Sequence, residues 1–284
     1  MNTLLDTPLF APYKASILAA AKPVLAMTFI PDDALTLRQS KLGGQPYWPR
    51  DRAYPSHQKH PLNLLLQLNF SEIPALPGFP ERGILQWFYA QGALWGQDFD
   101  DPRAQGGFRV VYHEDVLEDD SALLHDFSFL VPPPPTLWQR LKKLARPTVA
   151  PPFRMPCAIR FTAQMQYPSL DGDCTTYLKG DGAPDIHDGN FFENEHQAFS
   201  DAYFEHFSCD ALSLIGGYPA FTQDDPRRDA SLNAHDDIQL IQLSSAAQPE
   251  VMMWGDLGIA HLFIHPDDLA RRDFSRVLYW WDCY

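Results

Sequence analysis

Cysteine is scarce and unpaired in this sequence. The four in 284 residues, Cys157, Cys174, Cys209 and Cys283, form no CxxC pair. That excludes a disulfide-stapled scaffold and a four-thiolate zinc site, and fits buried thiols in a reducing compartment. Long apolar runs are missing as well: no window approaches the roughly 18 continuous apolar residues of a spanning helix. The first residues have no basic leader, and Asp6, Lys14 and Lys22 interrupt their apolar stretch. No export signal is therefore expected, and a cytoplasmic location is. Positive charge is the third shortage. Lys and Arg number 22 against 36 Asp and Glu, a net charge of −14, which argues against binding a phosphate backbone.

Catalytic signatures are equally thin. No GxxxxGK[ST] phosphate loop, dinucleotide fingerprint, GxSxG elbow or HExxH pair occurs. The ten histidines are dispersed; His57 with His60, or His261 with His265, lack the further ligands a metal needs. Asp171-Gly172-Asp173 opens like a calcium loop, but Gly182 stands where the twelfth-position glutamate belongs. No metal or cofactor is expected, and no catalytic residue is assigned.

Proline, by contrast, is abundant: 26 residues, which argues against long helices. The informative feature is an internal duplication. Gln67, in Leu64-Leu65-Leu66-Gln67-Leu68, aligns with Gln242, in Leu240-Ile241-Gln242-Leu243, at an offset of 175. At the same offset Phe79-Pro80-Glu81-Arg82-Gly83 faces Trp254-Gly255-Asp256-Leu257-Gly258. Upstream, Leu42-Gly43-Gly44-Gln45-Pro46-Tyr47 matches Ile215-Gly216-Gly217-Tyr218-Pro219-Ala220 at 173; downstream, Arg109–Tyr112 matches Arg276–Tyr279 at 167. The stretch 95–107 reads as an insertion in the first copy.

The matched blocks read as strands: 63–70, 84–89, 108–113, 238–243, 259–264 and 276–281 are short, apolar and rich in β-branched or aromatic residues. Their proline-broken linkers favour antiparallel pairing over helical crossovers. Helices are expected at 12–21, at 193–207 with Phe199, Ala202, Tyr203 and His206 on one face, and from His265-Pro266 onward. The organisation expected is one domain over 1–284: a first unit at about 41–115, a bridge at about 116–213 holding a proline-boxed helix at 136–146, and a second unit at about 214–284.

Charge is uneven along the chain. Residues 136–160 carry six bases and no acid; residues 161–237 carry fifteen acids and three bases, a local charge of −12. An acidic stretch of this kind either keeps a face soluble or steers a basic partner.

The blocks Lys41–Pro49, Leu65–Phe70, Gly83–Phe88 and Trp254–Gly258, with the ending Asp273-Phe274-Ser275 to Tyr284, resemble the YwqG-like bacterial family over nearly the whole chain. The resemblance implies an α+β fold, mostly antiparallel sheets with a few short helices, built from two related halves. Some members of that family look like immunity proteins that block a cognate secreted toxin. The expectation is accordingly a cytosolic protein-binding module, not an enzyme, whose partner is a basic toxin such as a nuclease effector, with no direct nucleic acid and no membrane contact. The acids expected to meet that partner are Asp181, Asp185, Asp188, Glu193 and Glu195, with Asp224, Asp225, Asp236 and Asp237 behind them. The alternative is an enzyme or small-molecule binder with its site between the halves.

Overall fold

Matched blocks of sequence become matched strands. The computed structural model describes residues 2–131, 149–168, 197–207 and 212–284. Ten strands among them build one sheet: β1 (Lys22–Pro31), β2 (Lys41–Leu42), β5 (Asn63–Asn69), β6 (Ile84–Tyr89), β7 (Phe108–His113), β8 (Cys157–Gln166), β9 (Ser213–Ile215), β10 (Ile238–Ser244), β11 (Ile259–Ile264) and β12 (Leu278–Asp282). The short hairpin of β3 (Ser56–His57) and β4 (His60–Pro61) stands apart. In space the order is β12-β11-β10-β9-β1-β8-β2-β5-β6-β7, antiparallel throughout.

The α+β expectation is overturned: the described chain is β-rich. Its α-helices are Asn2–Leu5, Lys14–Ala20, Gln197–Phe207 and Pro266–Ala270, and the longest has 11 residues. None of these described helices bridges parallel strands. The helix expected at 12–21 splits into a 3-10 turn, Ala11–Tyr13, followed by Lys14–Ala20. On Gln197–Phe207 the buried face is Phe199, Tyr203 and Phe207, which pack with Leu5, Phe10, Tyr13 and Ile17; His206 points away. The helix expected at 136–146 lies outside the described residues. No described helix is long and apolar enough to cross a membrane.

The two halves of the sheet repeat each other atom for atom. Gly43 N donates to Leu65 O, as Gly216 N does to Leu240 O; Asn69 N donates to Ser40 Oγ, as Ser244 N does to Ser213 Oγ. Phe70 N to Gly83 O recurs as Ser245 N to Gly258 O. Leu65 and Leu240 are the extra residues where the ladders to β6 and β11 shift register, so even the bulge is duplicated. Both glycine pairs hold positive φ, from 66° at Gly43 to 85° at Gly217. A Cβ on Gly217 would come 2.0 Å from Gln166 Oε1.

One alignment needs correction. Tyr112 stands opposite Leu85 and Trp281 opposite Ala260, so Tyr112 corresponds to Trp281, not to Tyr279. The shared Arg-Val-x-Tyr letters mislead by two residues, because register is set by the neighbouring strand. Arg276 and Val277 precede β12 altogether.

The two longest strands, β1 and β8, were not foreseen. They pair along ten residues, from Lys22 opposite Gln166 to Pro31 opposite Cys157. β1 leads into the first half yet lies against β9 of the second, while β8 leads into the second yet lies against β2 of the first. The halves are thus interlocked and share one core, where Trp87 of β6 stacks on Trp254 at 6.3 Å between ring centres. The matched residues Phe79 and Trp254 are both buried, and Trp280 and Trp281 are half-buried.

The sheet curls until its ends approach, with Phe108 of β7 5.1 Å from Tyr279 of β12. The stretch 90–107 fills the seam. Pro102 O accepts from Tyr279 N and Gln97 Oε1 accepts from Trp281 N, while Gln105 accepts from Val110 N and donates to Phe274 O. Both sheet edges are therefore covered by one loop.

Candidate functional site

Behind the shared core, each unit has an outer face, and there the copies part. In the first unit Gln67 Oε1 accepts from Tyr47 N (2.8 Å) and Gln86 Nε2 (2.8 Å), while its Nε2 donates to Leu37 O and Gln39 O. Gln86 Nε2 also donates to Tyr47 O, so its Oε1 must accept, and it lies 2.9 Å from His113 Nε2. That places the His113 proton on Nε2 and leaves Nδ1 to accept from Arg52, 3.4 Å away. Burial first, and the Arg52 charge second, push the His113 pKa down to about 4. Over this network lie Trp48, Leu62, Leu64, Phe88 and Phe127 with Tyr54, a closed apolar cluster.

The second unit keeps the clamp and changes what surrounds it. Gln242 Oε1 accepts from Ala220 N (2.9 Å), the counterpart of Tyr47 N, and its Nε2 donates to Leu212 O. His261 occupies the place of Gln86. Its ring lies 4.8 Å from Phe221 and 5.2 Å from Phe263, and its one polar contact is with the backbone of Ala220, the counterpart of Tyr47. Burial, then the Arg227 charge, hold its pKa down at about 3. Asp282 takes the place of His113 and accepts from Thr222 N, Thr222 Oγ1 and Gln223 N. Burial raises its pKa, against the pull of those bonds.

The cover differs most. Where the first unit has Tyr54, Leu62 and Leu64, the second has Arg227, Asp237 and Gln239. Contacts support the match: Tyr54 sits edge-on to Phe88 at 5.8 Å, and the Arg227 guanidinium lies 5.0 Å from the equivalent Phe263 ring. Arg227 forms a bidentate pair with Asp225, and Asp237 pairs with Arg103 of the seam loop at 2.7 Å. Beside these groups opens a pocket of about 370 Å³, lined also by Lys22, Tyr218, Arg228, His235 and Asp236. Lys22 lies over the Tyr218 ring, 3.7 Å from its centre.

Of the nine acids expected to bind a partner, Asp181, Asp185, Asp188, Glu193 and Glu195 lie outside the described residues. Asp225, Asp236 and Asp237 come together at this pocket; Asp224 does not line it. Asp225 and Asp237 are committed to ion pairs, and Asp236 and Asp224 face solvent, Asp236 beside His235 at 2.9 Å. The cations and Gln239 were not anticipated. Aligning Leu62-Asn63-Leu64 with Asp237-Ile238-Gln239 would have found them, since polar residues replace apolar ones in a repeated strand.

The histidine pairs resolve into structural roles. His57 and His60 face each other across a hairpin whose turn residues, Gln58 and Lys59, have φ of 49° and 68°. His265 Nδ1 accepts from Asp267 N at the start of the helix Pro266–Ala270. Among the described residues no three His, Cys, Asp or Glu side chains group as metal ligands. Cys157 is buried beside β2, and Cys283 is half-buried; Cys174, Cys209 and the Asp171 loop lie outside the described residues.

Residues 40–283 match the family model described as Domain of unknown function (DUF1963). The chain belongs to that family. The match takes in both units, the seam loop and β8, and begins after β1. No curated protein matches the chain.

Proposed function

We propose that this DUF1963 protein is a cytoplasmic binding module, an immunity protein that neutralises a basic toxin, a nuclease effector being the partner its charge suits best. The observation that carries the reading is the charge of −12 over residues 161–237 in a chain whose 136–160 segment is wholly basic. A nuclease surface is positive in order to hold its substrate, so an acidic stretch competes for it. Such a surface acts chiefly on encounter, raising the association rate, and loses force as salt shortens the screening length. Within that stretch Asp224 and Asp236 face solvent in the second unit. The resemblance to YwqG-like proteins points the same way.

Co-expression tests the reading. A toxin encoded beside this gene should kill cells alone and spare them when the full chain is present. Reversing Asp181, Asp185 and Asp188 to Lys should lower the association rate at low salt by about tenfold and flatten its salt dependence. Unchanged binding by the reversed chain removes the acidic stretch from the account.

A further inference from the structure

The two units also differ at the corner where the last strand of each ends. In the first unit β7 runs on into Glu114 and Asp115, and Arg82, just before β6, meets them at 2.7 and 4.0 Å. All three face solvent, so an exposed ion pair is sufficient to finish this corner. The repeat aligns Arg82 with Leu257. Since Tyr112 corresponds to Trp281, it also aligns Glu114 with Cys283 and Asp115 with Tyr284. The second copy thus has two exposed apolar side chains and a half-buried thiol where the first has charges.

More apolar surface gathers at the same place. Tyr284 N donates to Asp256 O, which holds the chain beside the Leu257 turn, and Trp281 Nε1 donates to Leu94 O of the seam loop. Phe99 of that loop stands edge-on to Trp280, with 5.5 Å between ring centres. Asp98 Oδ1 accepts from Asp100 N and Asp101 N, a turn that sets Phe99 at its apex. Phe99 and Tyr284 are 53 % and 80 % exposed, Leu94 and Leu257 are exposed as well, and Trp280 and Trp281 are half-buried beside them. Apolar side chains standing singly in water need no explanation, but a gathered set marks an interaction surface. Tryptophan and tyrosine are the side chains that most often anchor one.

Charge specifies what the surface meets. The segments 92–101, 253–258 and 279–284 hold five acids, Asp98, Asp100, Asp101, Asp256 and Asp282, and no base. All but Asp282 face solvent. Arg103, next along the loop, is closed on Asp237. Such a rim attracts Lys and Arg and repels a second copy of a chain whose net charge is −14.

We propose that the end of β12, with Phe99, Trp280, Leu257 and Tyr284, is a docking surface for a basic polypeptide segment. The segment presents an apolar side chain to the rings and Lys or Arg to Asp98, Asp100, Asp101 and Asp256. This inference rests on the reading of the chain as a binder of a basic protein, but it places the apolar anchor outside residues 161–237 and does not require that protein to be a toxin.

A phage library displaying random twelve-residue peptides, selected on the full chain at low salt, tests it. The selected peptides should be rich in Lys and Arg, each with at least one large apolar residue. Synthesised and titrated, they should bind Phe99→Ser and Tyr284→Ser about tenfold more weakly than the native chain. Asp98→Asn, Asp100→Asn and Asp101→Asn together keep the acceptors of the turn, and should lower the affinity and flatten its salt dependence. Should Phe99→Ser not fold, Tyr284→Ser, whose side chain stands clear of the core, carries the test. No enrichment, enrichment of acidic or neutral peptides, or affinity unchanged in either serine variant or in the triple variant overturns the proposal. The toxin reading fails separately. A chain that binds the peptides at this corner yet spares no cell from the toxin keeps the surface and loses the toxin; one that spares cells but selects no basic peptide keeps the toxin and overturns the surface.

Discussion

The first and second units have the same frame and opposite contents. Both hold a buried glutamine that receives a backbone N–H from the loop after the glycine pair, and both carry the same bulge. On the outer face the first unit closes with aromatic rings and a chain of satisfied hydrogen bonds from Gln67 through Gln86 to His113. Buried polar atoms without a partner occur in both, Tyr54 Oη and Trp87 Nε1 in the first and Gln239 Oε1, Ser244 Oγ and Trp280 Nε1 in the second, but only the second places charged side chains over this face. A duplicated fold needs its frame twice and its surface chemistry only once. One copy closes this face with apolar rings while the other covers it with charged and amide groups, and a polar cover where an apolar one is sufficient marks a candidate functional surface.

Breaking the frame should cost most. Trp254 is fully buried in the core shared by the units, stacked on Trp87 and edge-on to Trp95 at 5.3 Å. Trp254→Ala is expected to cost about 4 kcal/mol, through lost burial and a cavity the interlocked strands cannot close. Urea unfolding reads it as one transition shifted as a whole. Two separate transitions would mean that the halves do not share their core.

The link across the seam comes next. Asp237 has 2 % of its side chain exposed and Arg103 26 %, so removing the guanidinium strands a buried carboxylate. Arg103→Ala should cost about 3 kcal/mol, while Arg103→Met with Asp237→Leu, the residue of the first unit, should recover most of it. The comparison is sharpened if the double variant is as stable as the native chain, for then the second unit accepts the cover of the first. The clamps follow. Gln67 serves four partners and Gln242 two, so replacing each by Leu should cost about 2 and about 1 kcal/mol respectively. Thermal denaturation of the two single variants ranks them, and a larger loss at Gln242 contradicts the bond count.

Much of the frame was legible. Strands 84–89, 108–113 and 259–264 fall where alternating apolar and aromatic residues put them, and Gln67 and Gln242 align because a buried amide in a strand is unusual. β1 and β8 were hidden. Pro23 and Pro31 disguise the one, the other follows a proline-rich basic segment, and no local pattern announces that each pairs with the opposite half. The α+β expectation came from a resemblance, and the short helices do not sustain it. The pocket was hidden for a different reason. Its residues lie in loops and in a strand whose polarity is informative only beside its twin, and the downstream offset of 167 was itself two residues out.

The smallest effect belongs to the buried histidines, and it appears only in acid. Both have folded pKa values below the usual 6.5, His113 at about 4 and His261 at about 3, burial being the main cause in each. As pH falls through 6.5 the unfolded chain takes up two protons that the folded chain refuses. Stability is therefore complete above about 6.5 and declines below it, until His113 protonates in the fold near 4 and His261 near 3. Each histidine contributes a slope of about 1.4 kcal/mol per pH unit at most within its window. The units differ in what the ring does at neutral pH. His113 holds Gln86 and Arg52, so His113→Leu should destabilise the protein at pH 7.5 as well as flatten the acid slope. His261 meets only the backbone of Ala220, and the glutamine in its place in the first unit bonds the equivalent backbone oxygen, that of Tyr47. His261→Gln should leave stability at pH 7.5 within about 0.5 kcal/mol of native and exceed native stability at pH 5. Urea midpoints of both variants at pH 7.5, 6 and 5 decide the matter. If His261→Gln loses stability at pH 7.5 as His113→Leu does, the imidazole packed against Phe221 and Phe263 holds the second unit as firmly as the bonded ring holds the first, and the contrast between the two histidines fails.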